Sequence, residues 1–363
     1  MGSSSSMDGK SVQDTDTSEV FPGTPENPQS EVILELRNLK KYFGVQSKSL
    51  LLSKVIGYIK AVDGVDLQIY DGEVLGLVGE SGCGKSTLSK LIVGLEEPTL
   101  GQVWYKDMDI TKLKGRKEKL QFRRNIQMIF QDPYNSLNPR KLVKDTLKEP
   151  LTIHFGHLSN DEKEKMVSDL LRKVGLETYH GYRYPHEFSG GQRQRIGLAR
   201  ALIINPKIVI ADEPVSALDV SVQATILNLV QKLQKEFGLS IIFIAHDLSV
   251  VKHVSDRVAV MYLGRIVEIG PTERIFDKPA HPYTVSLLSA IPFADPDIKK
   301  KKIILKGDVP SPINLPTGCR FHERCYKVED ICKIEDPKFR EISNGCWAAC
   351  HFPEDEQVIK FVD

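Results

Sequence analysis

A parallel α/β sheet carrying an α-helical insertion is the fold this sequence predicts, and three observations predict it. Apolar runs at Glu73–Val78, Lys207–Ala211 and Ser240–Ala245 suit strands buried on both faces. Helical stretches lie between them, notably Val220–Phe237, and buried strands alternating with helices build a parallel sheet. From Gln131 to Asn205 the pattern turns mostly helical, with charged stretches at Asp161–Lys173 and Arg193–Ile204.

The flanking elements follow in order. Glu31–Leu39 alternates apolar and polar residues, as a half-buried strand does, and Val65–Tyr70 repeats the pattern, predicting an antiparallel β subdomain. Ser86–Leu95 reads as a helix after a glycine-rich loop, and Val258–Ile269 as a hairpin turning at Leu263-Gly264. From Phe276 onward prolines are frequent and the chain passes into a cysteine cluster, expected to be a separate small module on a linker. The predicted organisation is an expression remnant and disordered stretch over 1–30, a nucleotide-binding domain over 31–275 with its helical subdomain at about 132–205, and a Cys-rich extension over 276–363.

Composition excludes several classes. With 41% hydrophobic and 27% charged residues the chain is ordinary globular protein, and a net charge of +1 gives no field for nucleic acid. No window approaches 18 to 20 uninterrupted apolar residues, so any membrane role requires a partner that spans the bilayer. No signal peptide is visible, which points to the cytoplasm. There, Cys319, Cys325, Cys332, Cys346 and Cys350, crowded near the C-terminus, read as metal ligands before disulfides.

The chemistry is carried first by Gly79, Ser81, Gly82, Cys83, Gly84, Lys85 and Ser86, which with Glu80 fit a phosphate-binding P-loop between a strand and a helix. Glycines let the backbone curl so that N–H groups face a β-phosphate, and the helix N-terminus adds positive potential. Lys85 is expected to reach the β- and γ-phosphates, Ser86 to ligate Mg²⁺, and Thr87 to contact the α-phosphate of ATP. Downstream, Ile208–Asp212 is an apolar strand ending in Asp212 and Glu213. A strand-end acid pair can be purely structural. Beside a P-loop, Asp212 reads as the acid that holds Mg²⁺ through its water shell, and Glu213 as the general base for the attacking water.

Ser189, Gly190, Gly191 and Gln192 open a second helix, and such a terminus binds anions. With the Arg193–Arg200 stretch that follows, they closely resemble the signature motif of ATP-binding cassette proteins. The resemblance spans roughly Glu31 to Gly270 and implies a RecA-like P-loop NTPase core. It also implies a head-to-tail dimer in which the signature of one subunit caps ATP held by the other. Gln131 resembles the Q-loop glutamine, a ligand of Mg²⁺ and water that senses the membrane partner. Ser216–Asp219 resembles the D-loop, and His246 the switch histidine at the γ-phosphate. A histidine at a strand end is otherwise most often a satisfied core residue. Phe43 aligns with the aromatic that stacks on adenine, and the adjacent Tyr42 is the other candidate.

Gln131–Arg140, His281–Pro292, Gly307–Asn314 and the long insert between Phe43 and Ala61 are similar to the oligopeptide and dipeptide importer branch, in its second ATPase subunit. That implies a related partner ATPase, two membrane permease subunits, an external solute-binding protein, and a peripheral place on the cytoplasmic face of the membrane. Self-pairing or a lone chain in isolation stays open. The branch also serves nickel, glutathione and oligosaccharides, so the solute is not legible here.

Cys319, Cys325, Cys332 and Cys350 give four thiolates in a segment too short for much of a core, where a metal staple makes sense. A [4Fe–4S] cluster, Zn²⁺ and free thiols all fit four cysteines; gaps of five and six residues are wide for zinc. The resemblance implies the iron–sulfur cluster. Cys346 reads as a spare thiol, with His322 and His351 as second-layer groups or substitute ligands. Two other functions fit the sequence less well. A soluble cassette of translation carries two cassettes, and a chromosome type carries a long coiled coil; this chain shows neither. An iron–sulfur electron carrier would leave the complete ATPase set without purpose.

Overall fold

The computed structural model describes residues 31–46, 55–131, 136–216, 218–291, 303–343 and 345–354. The expected N-terminal remnant, residues 47–54 of the insert after Phe43 and residues 292–302 of the proline-rich stretch lie outside them.

In chain order the strands are β1 (Val32–Gln46), β2 (Val55–Tyr70), β3 (Val74–Val78), β4 (Leu100–Tyr105), β5 (Met108–Asp109) and β6 (Ile126–Ile129). There follow β7 (Ile208–Asp212), β8 (Ser240–Ile244), β9 (Arg257–Tyr262), β10 (Arg265–Pro271), β11 (Phe339–Ser343) and β12 (Cys346–Ala349). Among the described residues they form a four-stranded antiparallel sheet, β2-β1-β4-β5, and an eight-stranded sheet, β11-β12-β10-β9-β3-β8-β7-β6. The pairs from β6 to β9 are parallel, while β9 through β11 add an antiparallel edge.

Side-chain alternation explains the layering. Leu75 and Leu77 of β3, Ile208 and Ile210 of β7, and Ile242 and Ile244 of β8 share one core with the antiparallel sheet. Their neighbours Val74, Val78, Val209, Ala211, Ile241 and Phe243 point to the opposite face and join the core built with the helices. The sheet is therefore buried on both faces, as its uninterrupted apolar runs require. The helix Val220–Phe237 turns Ile226, Leu227, Val230 and Leu233 inward and stops at Gly238, which takes a left-handed φ of 60°. The β9–β10 turn puts Leu263 and Gly264 at φ 42° and 81°, a two-residue hairpin matched to strand twist.

Three features differ from the sequence reading. The first two strands run further than expected, pairing out to Gln46 and Val55. Strand β6, four residues at the sheet edge, is too short to show a period. The largest difference concerns the C-terminal extension, which is not a separate module. Its β12 pairs with β10 through Glu268↔Ala348 and Ile269↔Trp347, and the helix Pro282–Ser289 is buried against the main core. The reason is an aromatic knot: Phe321 packs on Tyr262 and Tyr283, with ring centroids 5.3 Å apart in both pairs. Prolines mark where the chain bends, not where a domain ends.

Candidate functional site

The loop after β3 is shaped by two glycines that no other residue could replace. Gly79 has φ 152° and Gly84 φ 112°; a Cβ on the first would collide with the Met261 carbonyl, and on the second with the Ala61 carbonyl. Gly84 is followed at once by the helix Lys85–Ile92, so the loop amides and the helix N-terminus face the same space. The buried Lys85 ammonium donates to the carbonyls of Gly79 at 2.7 Å and Glu80 at 3.1 Å. The Ser86 hydroxyl donates to Asp212 Oδ1 at 3.4 Å.

Asp212 closes β7. Burial raises its carboxyl above the usual range, the Ser86 hydrogen bond opposes this, and the neighbouring Glu213 raises it further. Glu213 then takes a left-handed φ of 47°, unusual for a side chain of its size. Such strain costs on the order of 1 kcal/mol and persists where surroundings hold it, here the Glu213 N–H bonded to the Ile244 carbonyl at 3.0 Å. The turn presents the carboxylate to Gln131 Nε2 at 2.8 Å and His246 Nδ1 at 3.4 Å.

These groups share one open cleft of about 500 Å³, lined by Phe43, Ser81, Gly82, Gly84, Lys85, Ser86, Thr87, Gln131, Glu213 and His246. The structure thus gathers elements of β1, β3, β6, β7 and β8 at one end of the parallel sheet, where such folds bind ligands. Phe43 stands partly exposed in the cleft, whereas the Tyr42 hydroxyl donates to Asp63 and turns away. Cys83 lies buried against the core below the loop, so only its backbone can face a phosphate. Sequence reasoning missed Ile59, Ala61 and Pro312. Pro312 comes from the extension, held by the Lys60 N–H donating to its carbonyl at 3.1 Å; no local signal marks it.

The signature residues do not line this cleft. Ser189 caps the helix Gly190–Leu202, its hydroxyl accepting from Gln192 N at 3.3 Å while Gln192 Oε1 accepts from Ser189 N at 3.1 Å. Gly190 and Gly191 leave just enough space for Leu218 and Val222, so the helix packs closely on the Ser216–Asp219 stretch and the first turn of the helix after it. Asp219 precedes the helix Val220–Phe237 as its N-cap residue.

For a divalent cation, the hydroxyl of Ser86, the carboxylate of Asp212 and the Gln131 amide are hard oxygen donors around one space, the set Mg²⁺ prefers. The cysteines differ. Cys319, Cys325, Cys332 and Cys350 are free of disulfides, and the Cys350 thiol feels the charge of the other three. Burial pushes Cys319 up to about 11 and Cys350 up to about 12. Among the described residues no group of three or more His, Cys, Asp or Glu is gathered tightly enough to hold a single metal ion. His322 Nδ1 and His351 Nε2 pair with the carbonyls of Cys319 and Glu335. Cys346 is fully buried in β12, 3.9 Å from Glu268.

A strand–P-loop–helix with Mg²⁺-type donors and a strained glutamate beside it defines a P-loop ATPase. Comparison with known proteins narrows the class. The family model described as ABC transporter matches residues 62–216, and that described as Oligopeptide/dipeptide transporter, C-terminal region, matches 267–332. The oligopeptide transport ATP-binding protein AppF of Bacillus subtilis is 51% identical over 323 residues, 88% of this chain and 97% of AppF. The dipeptide transport ATP-binding protein DppF of Escherichia coli is 46% identical over 333 residues, 92% of this chain and 98% of DppF. Among solved structures, the dimeric ATP-binding cassette MJ0796 bound to ADP and Pi is 30% identical with a TM-score of 0.58, covering 66% of this chain and 98% of MJ0796. This chain belongs to the ABC transporter ATP-binding proteins, in their oligopeptide/dipeptide branch. No helix among the described residues is long and apolar enough to cross a membrane.

Proposed function

We propose that this chain binds Mg-ATP in the cleft beside Gly79–Thr87 and hydrolyses it in a head-to-tail dimer, energising peptide import through two permease subunits. The observation that carries this reading is the split of the site: the P-loop, Glu213 and His246 share one cleft, while Ser189–Gln192 opens a helix elsewhere on the surface. A second subunit supplying that loop completes the site. A homologous ATPase suits this place, and the assembly then sits at the cytoplasmic face of the membrane, fed by an external solute-binding protein.

Within the cleft each residue has a role that follows from its position. Phe43 stacks on the adenine. The amides from Gly79, Ser81, Gly82, Cys83 and Gly84 surround the phosphates with Lys85 and Thr87. Ser86 and Gln131 would hold Mg²⁺ directly and Asp212 through its water shell; when bound, the cation neutralises charge between the phosphates. Glu213 takes the proton of the attacking water, and His246, with its Nδ1 3.4 Å from that carboxylate, orients it toward the γ-phosphate.

For the cysteines, we infer a [4Fe–4S] cluster on Cys319, Cys325, Cys332 and Cys350. Four free thiols, buried or half-buried and within electrostatic reach of Cys350, match its donor set. Oxygen-free purification with iron, zinc and sulfide analysis decides it: about four iron and four sulfide per chain are expected, and one zinc without sulfide overturns it. Transport is tested by reconstituting the chain with its permease and partner ATPase in vesicles. ATP-dependent peptide accumulation is expected; hydrolysis that leaves peptide outside refutes the peptide reading.

A further inference from the structure

The second residue of the P-loop, Glu80, is held at every polar atom. Its N–H donates to the Tyr283 hydroxyl at 2.9 Å, and its carbonyl accepts from Lys85 at 3.1 Å. Its carboxylate takes both terminal nitrogens of Arg324, at 2.6 and 3.0 Å. Lys85 belongs to the loop itself, but Tyr283 and Arg324 come from the extension, more than 200 positions further along the chain. Arg324 is 8% exposed and lies beside Tyr262, whose hydroxyl accepts from it at 3.4 Å. Tyr262 and Tyr283 pack with tilted rings, centroids 4.6 Å apart, so the two contacts to Glu80 rest on one aromatic knot.

Electrostatics makes this arrangement more than packing. A carboxylate inside a loop that binds a triphosphate repels its ligand, and at a partly shielded site that repulsion is only weakly screened. A fork of two charge-assisted bonds removes most of that charge and fixes the side chain away from the phosphates. We propose that Arg324, supported by Tyr283, is a positioning residue of the nucleotide site: it neutralises Glu80 and holds the P-loop in its phosphate-binding curl. The cysteine-bearing extension is then part of the ATP site rather than an appendage, because Arg324 immediately precedes Cys325. This rests on the reading of the cleft as the ATP site.

The test uses the full chain and titrates fluorescent ATP and ADP analogues against wild type, Arg324→Ala, Arg324→Lys, Glu80→Gln and Arg324→Ala/Glu80→Gln, with a thermal melt of each. Wild type must bind first; if it does not, the ATP-site reading itself fails. Arg324→Ala should weaken ATP binding roughly 10-fold, the equivalent of one lost charge-assisted bond. ADP, with less charge, should lose less. Arg324→Lys should fall between, and Glu80→Gln in the Arg324→Ala background should recover most of the loss by removing the orphaned carboxylate. Two outcomes overturn the proposal: an Arg324→Ala chain that melts like wild type and binds ATP within 2-fold of it, or equal losses for ATP and ADP with no recovery in the double variant.

Discussion

The nucleotide cleft and the seam joining the extension to the sheet use polar residues in opposite ways. In the cleft they stay within reach of solvent and face one another, as Gln131 and His246 face Glu213, in pairings a ligand can exchange. In the seam they vanish. Glu268 of β10 is fully buried and accepts from the N–H groups of Ala280 at 2.6 Å and His281 at 3.0 Å. His281, 1% exposed, caps the next helix by accepting from Tyr283 N at 3.0 Å. Burial drives the two in opposite directions, Glu268 up to about 7 and His281 down to about 4. Polar atoms kept exposed serve a ligand; polar atoms buried and satisfied fix the path of the chain. Cleft substitutions should therefore change chemistry and spare the fold, and seam substitutions the reverse.

The sharpest division is expected from Lys85→Ala, which should abolish ATP binding in a nucleotide titration while the melt shows a folded protein. Next, Glu213→Gln should lower hydrolysis in the assembled transporter by about 10² to 10⁴-fold and leave ATP bound, as phosphate release and nucleotide retention would show. Unchanged turnover would remove Glu213 as the base.

The seam should respond to pH instead. Protonated Glu268 contributes stability that is complete below its ordinary 4.5 and is lost as pH rises through about 7. Neutral His281 contributes stability that is complete above its ordinary 6.5 and is lost as pH falls through about 4. Between those ordinary values the two slopes oppose each other, so this pair leaves wild type nearly flat. Glu268→Gln should uncover a loss on acidification approaching 1.4 kcal/mol per pH unit, and His281→Asn the opposite slope. Urea midpoints across that window measure both, and flat variants would break the comparison. The smallest effect is expected from Ser189→Ala, about 1 kcal/mol from the lost cap, read in the same unfolding experiment.

What was legible in the sequence divides along the same line. The P-loop, Glu213 and His246 could be read because each follows a buried strand whose period or apolarity marks it. Phe43 and Tyr42 could not be told apart in the sequence; in space Phe43 lines the cleft, while Asp63 takes the Tyr42 hydroxyl. Pro312, Tyr283 and Arg324 could not be read at all. They reach the cleft or its loop through tertiary packing, and neighbours in sequence say nothing about it. The docking of the extension is hidden for a related reason: four residues of β12 carry no period, and their pairing with β10 is visible only in space.

That pairing has a consequence for the order in which the molecule is made. A ribosome delivers β10 by residue 271, but its outer edge is covered only when residues 346–349 emerge. Through that interval the sheet ends in a row of unpaired amides and carbonyls, a template for any extended chain nearby. Fragments released within that interval should therefore aggregate more readily than the whole chain.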